Sequence, residues 1–255
     1  GAPEITGFVP HAAGWGDTVT VKGRKFSHLN ITNKIYIDEC VCWPFYASDT
    51  LLKFVLPVEV TKLQNSLSIN MLGNVAMAGE KLTLINPECY GFTPAMGHWG
   101  DTVTITGHHL SFIGLKSSDG MLFNGSVTAK AVRAGAGSVS FLIPGAIRTL
   151  SSVVSVSYGP FSFSFPQSLT LLPPETDSFN PVEGTWGTTV RMYGRFNPVK
   201  EQSRFMFGGK QAQIISVSPD SAIVKVPEDL GEYSTTVTYQ SEPFTSQFPG
   251  NFTLK

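Results

Sequence analysis

A short run of aromatic side chains in the first third of the chain is the segment best suited to bind a ligand. Trp43, Phe45 and Tyr46 lie within Cys42-Trp43-Pro44-Phe45-Tyr46. Proteins commonly bind sugars by stacking flat aromatic faces against apolar C–H surfaces, and Trp and Tyr suit such half-wet sites. An extended segment points alternate side chains to opposite faces, so at least one of these large aromatics should be exposed. We predict that Trp43, Phe45 and Tyr46 form either a ligand platform or a contact with the next part of the chain.

Enzymatic chemistry has little support in the sequence. The five histidines are scattered apart from the adjacent pair His108 and His109, whose side chains face opposite ways on an extended chain. We expect the histidines to be loop residues in solvent. The sequence shows neither a zinc-type Cys/His pair nor a calcium-loop pattern, and its acidic residues occur singly. We therefore expect no catalytic site, no metal site and no cofactor.

Two further aromatic sets fit packing better than binding. Trp15, Trp99 and Trp186 recur at the same place in a repeated motif, which favours a structural role at the end of a domain or against its neighbour. A second set, Phe161, Phe163 and Phe165, alternates with serines, as expected of a strand with one face in the core.

The cysteines point to free thiols. They number three and do not recur between the repeats, so no disulfide is expected in each domain. Cys40 and Cys42 would lie on one face of a strand about 6.5 Å apart, near the upper limit for a bridge. We expect buried free thiols at Cys40, Cys42 and Cys89.

Composition and charge exclude two classes of partner. Charged residues make up 15% of the chain and the net charge is -1, without a run of Lys or Arg. A field that attracts nucleic acid or an anionic membrane is therefore absent. No stretch approaches the 18 apolar residues of a membrane span, so we expect no nucleic-acid partner and no direct membrane insertion. The first residue is Gly, from which we expect a naturally or artificially trimmed chain whose targeting segment, if any, has been removed.

A motif that occurs three times divides the chain. Each copy has Pro-Glu, then Phe-x-Pro, a Trp-Gly turn, an alternating segment and a Gly, and the three tryptophans are 84 and 87 residues apart. A repeat of this length has the size of a small domain rather than a solenoid unit. The predicted domains are residues 1–85, 86–172 and 173–255, called here units 1, 2 and 3. Their short, proline-containing junctions predict a semi-rigid rod.

The alternation within each copy predicts strands with a fixed inward face. The predicted inward pairs of the strand after the Trp-Gly turn are Val19 and Val21, Val103 and Ile105, and Val190 and Met192. We expect each strand to end at Gly23, Gly107 or Gly194, followed by a variable loop: Arg24 to Asn33, His108 to Gly120, or Arg195 to Ser203. A later strand runs into Pro57, Pro144 or Pro227, and each unit ends in a hairpin.

Short strands separated by Gly and Pro turns, in units of about 85 residues, predict an all-β chain of three tandem immunoglobulin-like β-sandwiches. The residues of unit 1, Phe8-Val9-Pro10 and Gly14-Trp15-Gly16-Asp17-Thr18-Val19, resemble the IPT/TIG family. In unit 3 Thr188 replaces the aspartate of this motif and Arg195-Phe196-Asn197 follows Gly194, so we expect a rearranged loop there. The family includes units of plexins, transcription factors and bacterial surface proteins, and the motif is most similar to the bacterial members.

The resemblance implies a cell-surface protein without enzyme activity. Bacteroidetes-type lipid-anchored surface glycan-binding proteins often stack such units, so a polysaccharide or a surface protein is the expected partner. We expect a monomer that does not itself insert into the membrane and is held by a lipid anchor on the outer membrane. Two alternatives remain open: a structural spacer that presents a separate binding domain, and a protein–protein interaction module.

Overall fold

The computed structural model describes residues 1–112, 120–158 and 161–255. Most of the variable loop predicted for unit 2, His108 to Gly120, lies outside the described residues, as do residues 159 and 160 of the segment before the Phe-Ser alternation.

Each unit consists of short strands, as the alternation predicts. Unit 1 contains β1 (Glu4–Val9), β2 (Ala12–Ala13), β3 (Thr18–Arg24), β4 (Asn33–Ile37), β5 (Cys40–Cys42), β6 (Tyr46–Ala47), β7 (Leu51–Val55), β8 (Gln64–Met71) and β9 (Asn74–Leu84). Unit 2 contains β10 (Glu88–Thr93), β11 (Met96–Gly97), β12 (Thr102–His108), β13 (Gly120–Phe123), β14 (Val127–Ala129), β15 (Ala131–Ala134), β16 (Ser138–Leu142), β17 (Ser151–Tyr158) and β18 (Phe161–Leu171). Unit 3 contains β19 (Glu175–Asn180), β20 (Glu183–Gly184), β21 (Thr189–Arg195), β22 (Arg204–Phe207), β23 (Lys210–Gln211), β24 (Gln213–Val217), β25 (Ser221–Lys225), β26 (Ser234–Ser241) and β27 (Phe244–Leu254). The helical segments of the described residues are 3-10 turns at Asn30–Thr32, Leu110–Phe112 and Lys200–Gln202.

The strands of each unit form two sheets, which face each other as a sandwich. In unit 1 the orders are β1-β3-β7-β6 and β2-β9-β8-β4-β5, and units 2 and 3 repeat both orders with their own strands. The short strand β2 pairs in parallel with β9, whereas the other neighbours in unit 1 are antiparallel. The predicted fold class, three tandem immunoglobulin-like sandwiches, is confirmed.

The inward faces match the sequence prediction. All six side chains of the predicted inward pairs, from Val19 to Met192, are fully buried. The strand that runs into the conserved proline also keeps one register in the three units, because its alternate residues are buried in every copy. Those residues are Leu52, Phe54, Leu56, Val139, Phe141, Ile143, Ala222, Val224 and Val226.

The conserved glycine lies within the strand rather than at its end. β3 continues through Gly23 to Arg24, and its counterparts likewise run one residue past Gly107 and Gly194. Gly23 pairs with the first strand of the unit, where a Cβ would overlap the carbonyl oxygen of Glu4. The predicted strand end was therefore wrong by one residue, although the prediction that a Cβ would be obstructed is confirmed.

The Trp-Gly turn survives the replacement of aspartate in unit 3. Asp17 and Asp101 each accept a hydrogen bond through Oδ2 from the backbone N–H three residues earlier, at 2.8 Å. Thr188 accepts the equivalent bond through Oγ1 at 2.9 Å. Because a hydroxyl oxygen fills the acceptor position, the turn is not rearranged.

The hydrophobic core extends across the unit junctions. Units 1 and 2 share one continuous cluster of buried side chains, and Phe244 of unit 3 packs against it, while the remainder of unit 3 has its own core. In the Phe-Ser strand β18, Phe161 and Phe165 are buried and Phe163 is half-buried, which confirms the predicted core face.

Candidate functional site

The predicted aromatic residues lie on a crossover between the two sheets of unit 1. Strand β5 is the last strand of one sheet and β6 is the last strand of the other. Trp43, Pro44 and Phe45 connect these two edges, and Tyr46 begins β6. Pro44 is buried beneath the segment and belongs to neither strand, in agreement with its predicted place at an edge. We call Trp43, Phe45 and Tyr46 the aromatic crossover.

All three aromatic side chains face solvent. Trp43 is 51% exposed, Phe45 56% and Tyr46 47%, whereas at least one exposed aromatic was expected. Unit 2 therefore leaves about half of each side chain uncovered, which disfavours the alternative that the segment is a buried domain contact. Exposed aromatics grouped within four residues are the kind of surface that marks a binding site.

Two hydrogen bonds to the backbone of Phe45 hold the aromatic crossover in place. The Phe45 N–H donates to the Lys53 carbonyl oxygen at 2.8 Å, and the side-chain amide of Asn30 donates to the Phe45 carbonyl oxygen at 3.2 Å. The Lys53 ammonium lies 5.6 Å from the centre of the Tyr46 ring, within range of a cation–π contact. The segment is thus held in position from two sides while its rings remain accessible.

The sequence did not single out Lys53 and Asn30. Lys53 becomes a neighbour because it pairs with Tyr46 between β6 and β7, a register that the sequence alone does not specify. Asn30 belongs to the loop after Gly23, and the variation of this loop between the units was a sequence signal that pointed to its residues. The adjacent Ile31 in the same 3-10 turn is exposed, so an apolar side chain follows Asn30 on this loop.

The crossover of unit 1 differs in length from those of units 2 and 3. Three residues separate β5 from β6, whereas the single residue Lys130 separates β14 from β15 and the single residue Ala212 separates β23 from β24. The stretch from β4 or its counterpart to the repeated proline has nearly the same length in the three units, so the longer unpaired segment of unit 1 arises because β6 is shorter than β15 and β24, and not because residues are inserted.

The turn tryptophans behave differently in the three units. Trp15 and Trp99 are each only 1% exposed, with ring centres 5.1 Å from Tyr158 and 5.7 Å from Phe244, respectively. The predicted packing role is therefore confirmed for these two. Trp186 remains 57% exposed, so the prediction of a covered tryptophan was wrong for unit 3. The local motif is the same, but the described residues of a neighbouring unit cover only the first two.

Two histidines are junction residues rather than solvated loop residues. His109 Nε2 lies 3.0 Å from Oδ2 of Asp17 in unit 1. The largely buried His98 lies 3.5 Å from Asp101 and 3.6 Å from Glu175 of unit 3. The solvated-loop prediction was wrong for these two, because their loops meet the adjacent unit. The exposed His11, His28 and His108 agree with it.

The cysteines are free, as predicted, but half-buried rather than fully buried. Desolvation raises the pKa of Cys42 to about 12 and the pKa of Cys89 to about 11. It also raises the pKa of Cys40, with a smaller contribution from nearby acidic side chains. These thiols stay protonated at neutral pH and are poor nucleophiles.

Within the described residues, no group of three or more His, Cys, Asp or Glu side chains is arranged to hold a metal ion. No helix in the same part of the chain is long and apolar enough to cross a membrane.

Comparison with solved structures finds matches of low sequence identity. The extracellular region of plexin A4 is 14% identical with a TM-score of 0.39, over 94% of this chain and 23% of that one. The surface glycan-binding protein PbSGBP-B from Prevotella bryantii is 15% identical with a TM-score of 0.35, over 66% of this chain and 42% of that one.

A third structure is the Bacteroides ovatus SGBP-B of a mixed-linkage glucan utilization locus, in complex with a mixed-linkage heptasaccharide. It is 13% identical with a TM-score of 0.28, over 93% of this chain and 61% of that one. The chain thus spans less than two thirds of each of these three proteins, and likenesses of this size do not bear on its ligand.

A search among curated proteins finds no match. The family model described as IPT/TIG domain matches three successive segments, residues 3–83, 87–171 and 174–255, which together span nearly all of the sequence. The chain therefore belongs to the IPT/TIG domain family, as three tandem members.

Proposed function

We propose that this chain is a non-catalytic cell-surface protein that binds glycan or mediates adhesion, and that the aromatic crossover of unit 1 holds the carbohydrate. The single observation that carries the proposal is the exposure of Trp43, Phe45 and Tyr46 on one pinned segment. Exposed aromatic side chains grouped on one segment can stack on a ligand, and flat rings suit the C–H faces of sugars.

Polar groups beside the rings support a carbohydrate rather than a purely apolar ligand. Asn30 and Lys53 lie next to Phe45 and Tyr46 and offer an amide and an ammonium group to sugar hydroxyls. A binding site built from a few aromatic surfaces and a few fixed polar groups is typical of such ligands. The corresponding segments of units 2 and 3 lack aromatic residues, so we place one carbohydrate site on the described part of the chain.

The proposal includes the organisation of the protein. We place domain boundaries at residues 1–85, 86–172 and 173–255, with a semi-rigid rod that behaves as a monomer and is held at the outer membrane by a lipid anchor. Contacts between the units support the rod, for example the ion pair between Arg195 and Asp101 across the junction of units 2 and 3.

The experiment is isothermal titration of the chain against a panel of soluble polysaccharides. We expect at least one to bind, and we expect Trp43→Ala to abolish or strongly weaken that binding. Tyr90→Ala, which removes an exposed aromatic from unit 2, is the matched control and should leave affinity unchanged. Absence of binding to every glycan, or equal loss in both variants, would overturn the proposal.

A structural spacer is the second candidate function, because hydrogen bonds join neighbouring units directly at both junctions. Tyr158 of unit 2 donates to the Val58 carbonyl oxygen at 2.7 Å, and Asn197 of unit 3 donates to the Gly145 carbonyl oxygen at 2.8 Å. A spacer needs such fixed junctions but no exposed aromatic site. Loss of the glycan titration together with a rigid, extended shape in small-angle scattering would favour it.

A further inference from the structure

The junction of units 1 and 2 and the junction of units 2 and 3 are built from the same kinds of contact. In each, the last hairpin of the following unit brings an aromatic ring edge-on to the turn tryptophan of the preceding unit. Tyr158, the last residue of β17, packs on Trp15, and Phe244, the first residue of β27, packs on Trp99. Edge-to-face pairs of this kind add stabilisation beyond the apolar area that they bury.

A backbone acceptor recurs beside each tryptophan. The residue after the conserved proline is Val58 in unit 1 and Gly145 in unit 2, and its carbonyl oxygen accepts a hydrogen bond from the following unit in both cases. The acceptors and the tryptophans together form one docking surface on each unit. The following unit engages both parts of that surface.

The turn carboxylate completes the surface in units 1 and 2. Asp17 pairs with His109 of unit 2, and Asp101 pairs with Arg195 of unit 3. A basic side chain one or two residues after the repeated glycine thus reaches the turn of the preceding unit in both junctions.

Unit 3 carries the same surface uncovered. The Trp186 indole N–H donates to the Leu230 carbonyl oxygen at 2.8 Å, as the Trp15 and Trp99 indoles donate to backbone carbonyls in their own units at 2.7 and 3.0 Å. The ring is therefore held by the same bond as its buried counterparts, yet it is 57% exposed. Glu228 occupies the place of Val58 and Gly145 after the conserved proline and is exposed.

We propose that this surface, defined by Trp186, Thr188 and Glu228 and called here the Trp186 face, docks the hairpin end of a further immunoglobulin-like unit. The occupant presents an aromatic side chain to the edge of Trp186 and a hydrogen-bond donor to the Glu228 carbonyl oxygen. Thr188 replaces the aspartate of the other two turns, so the occupant needs no basic side chain at that point. At both junctions within the chain, the following unit covers the equivalent surface. The Trp186 face is separate from the aromatic crossover.

A four-unit chain can test this docking, because units 2 and 3 end with the same backbone hydrogen bond. Leu172 donates to the Gly97 carbonyl oxygen at 2.9 Å before unit 3 begins, and Lys255 donates to the Gly184 carbonyl oxygen at 2.8 Å. A second copy of residues 173–255 appended after Lys255 therefore starts where unit 3 starts relative to unit 2. Unit 3 has its own core, so the copy has the core that it needs to fold.

The test is fluorine NMR of the three-unit and four-unit chains labelled with 5-fluorotryptophan, with the Trp186 signal assigned through Trp186→Phe. The change in fluorine shift between H2O and D2O measures the exposure of the ring. We expect Trp186 to show a large solvent shift in the three-unit chain and, in the four-unit chain, the small shift of Trp99. Phe244→Ala in the appended copy should restore the large shift, whereas the control Thr245→Ala in the same hairpin should not.

Three results would overturn the proposal. Trp186 could keep its full solvent shift in the four-unit chain, so that the face accepts no such unit. Protection of Trp186 in the three-unit chain at rising protein concentration would make a second copy of the chain the occupant. Protection of Trp186 by a polysaccharide in the three-unit chain would make the face a ligand site. None of these results depends on whether the aromatic crossover binds glycan.

Discussion

Replacement of the same tryptophan in two units isolates the free energy that a neighbouring unit contributes. Trp99 and Trp186 donate the same kind of hydrogen bond to a backbone carbonyl, but Trp99 is 1% exposed and Trp186 is 57% exposed. On a side chain of roughly 250 Å², this difference is about 140 Å², which contributes about 3.5 kcal/mol at ~25 cal/mol per Å². We therefore expect Trp99→Ala to lower the free energy of unfolding by about 4–5 kcal/mol and Trp186→Ala by about 1–2 kcal/mol.

The assay must report on the units separately, because a three-domain chain need not unfold in one step. Hydrogen exchange with mass spectrometry across a urea titration does so, with peptides from β12 reporting on unit 2 and peptides from β21 on unit 3. Tyr90→Ala serves as the exposed-aromatic control and should change neither. Equal losses of unfolding free energy for Trp99→Ala and Trp186→Ala would contradict this prediction, because they would mean that unit 3 does not cover Trp99.

Three further predictions concern backbone contact, thiol ionisation and a junction hydrogen bond. Gly107→Ala should lower the free energy of unfolding by about 1–3 kcal/mol in urea titration, because its Cβ would overlap the Glu88 carbonyl oxygen, while Gly91→Ala, with open space around it, should be neutral. Burial raises the pKa of Cys42 from 9.0 to about 12, so the stabilisation by its protonated thiol is complete below pH 9 and is lost as the pH rises toward 12. Iodoacetamide should accordingly label Cys42 far more slowly in the native than in the urea-unfolded chain at pH 8, and equal rates by mass spectrometry would contradict the burial. Asn197→Ala removes a buried amide that bonds across the junction of units 2 and 3, and should cost about 1–3 kcal/mol in thermal unfolding, whereas an unchanged transition would show that the junction bond does not form.

Local alternation was enough to predict the fold. The inward side chains of β3 and its counterparts, such as Val19 and Val21, repeat with the period of a strand, and three copies agree on the register. The Phe-Ser strand was predicted in the same way from Phe161 and Phe165. These features depend on residues within one strand, which is why the sequence specifies them.

Contacts between distant segments could not be predicted from the sequence. Trp99 and Trp186 have nearly the same local sequence, and the difference in their burial comes from unit 3, whose Phe244 packs on Trp99. His98 and His109 likewise resemble ordinary loop residues until the neighbouring unit supplies their carboxylate partners. Each of these outcomes depends on how one folded unit meets the next.

The candidate site was predictable in part. Comparison of the three units singled out Trp43, Phe45 and Tyr46, because the corresponding segments of units 2 and 3 lack aromatic residues. The unpaired segment that displays them depends on where β5 ends and β6 begins, and strand ends carry weak sequence signals. The position of Lys53 beside Tyr46 depends on the pairing of β6 with β7, which is a tertiary feature.

Titration of the intact chain with the polysaccharide panel, repeated with Trp43→Ala and Trp186→Ala, compares the two kinds of tryptophan. Our proposal is that the aromatic residues specific to unit 1 bind the ligand, whereas the repeated tryptophans are structural. It predicts that Trp43→Ala abolishes or strongly weakens glycan binding and that Trp186→Ala leaves it unchanged. Binding that survives Trp43→Ala, or that is lost with Trp186→Ala, would contradict it.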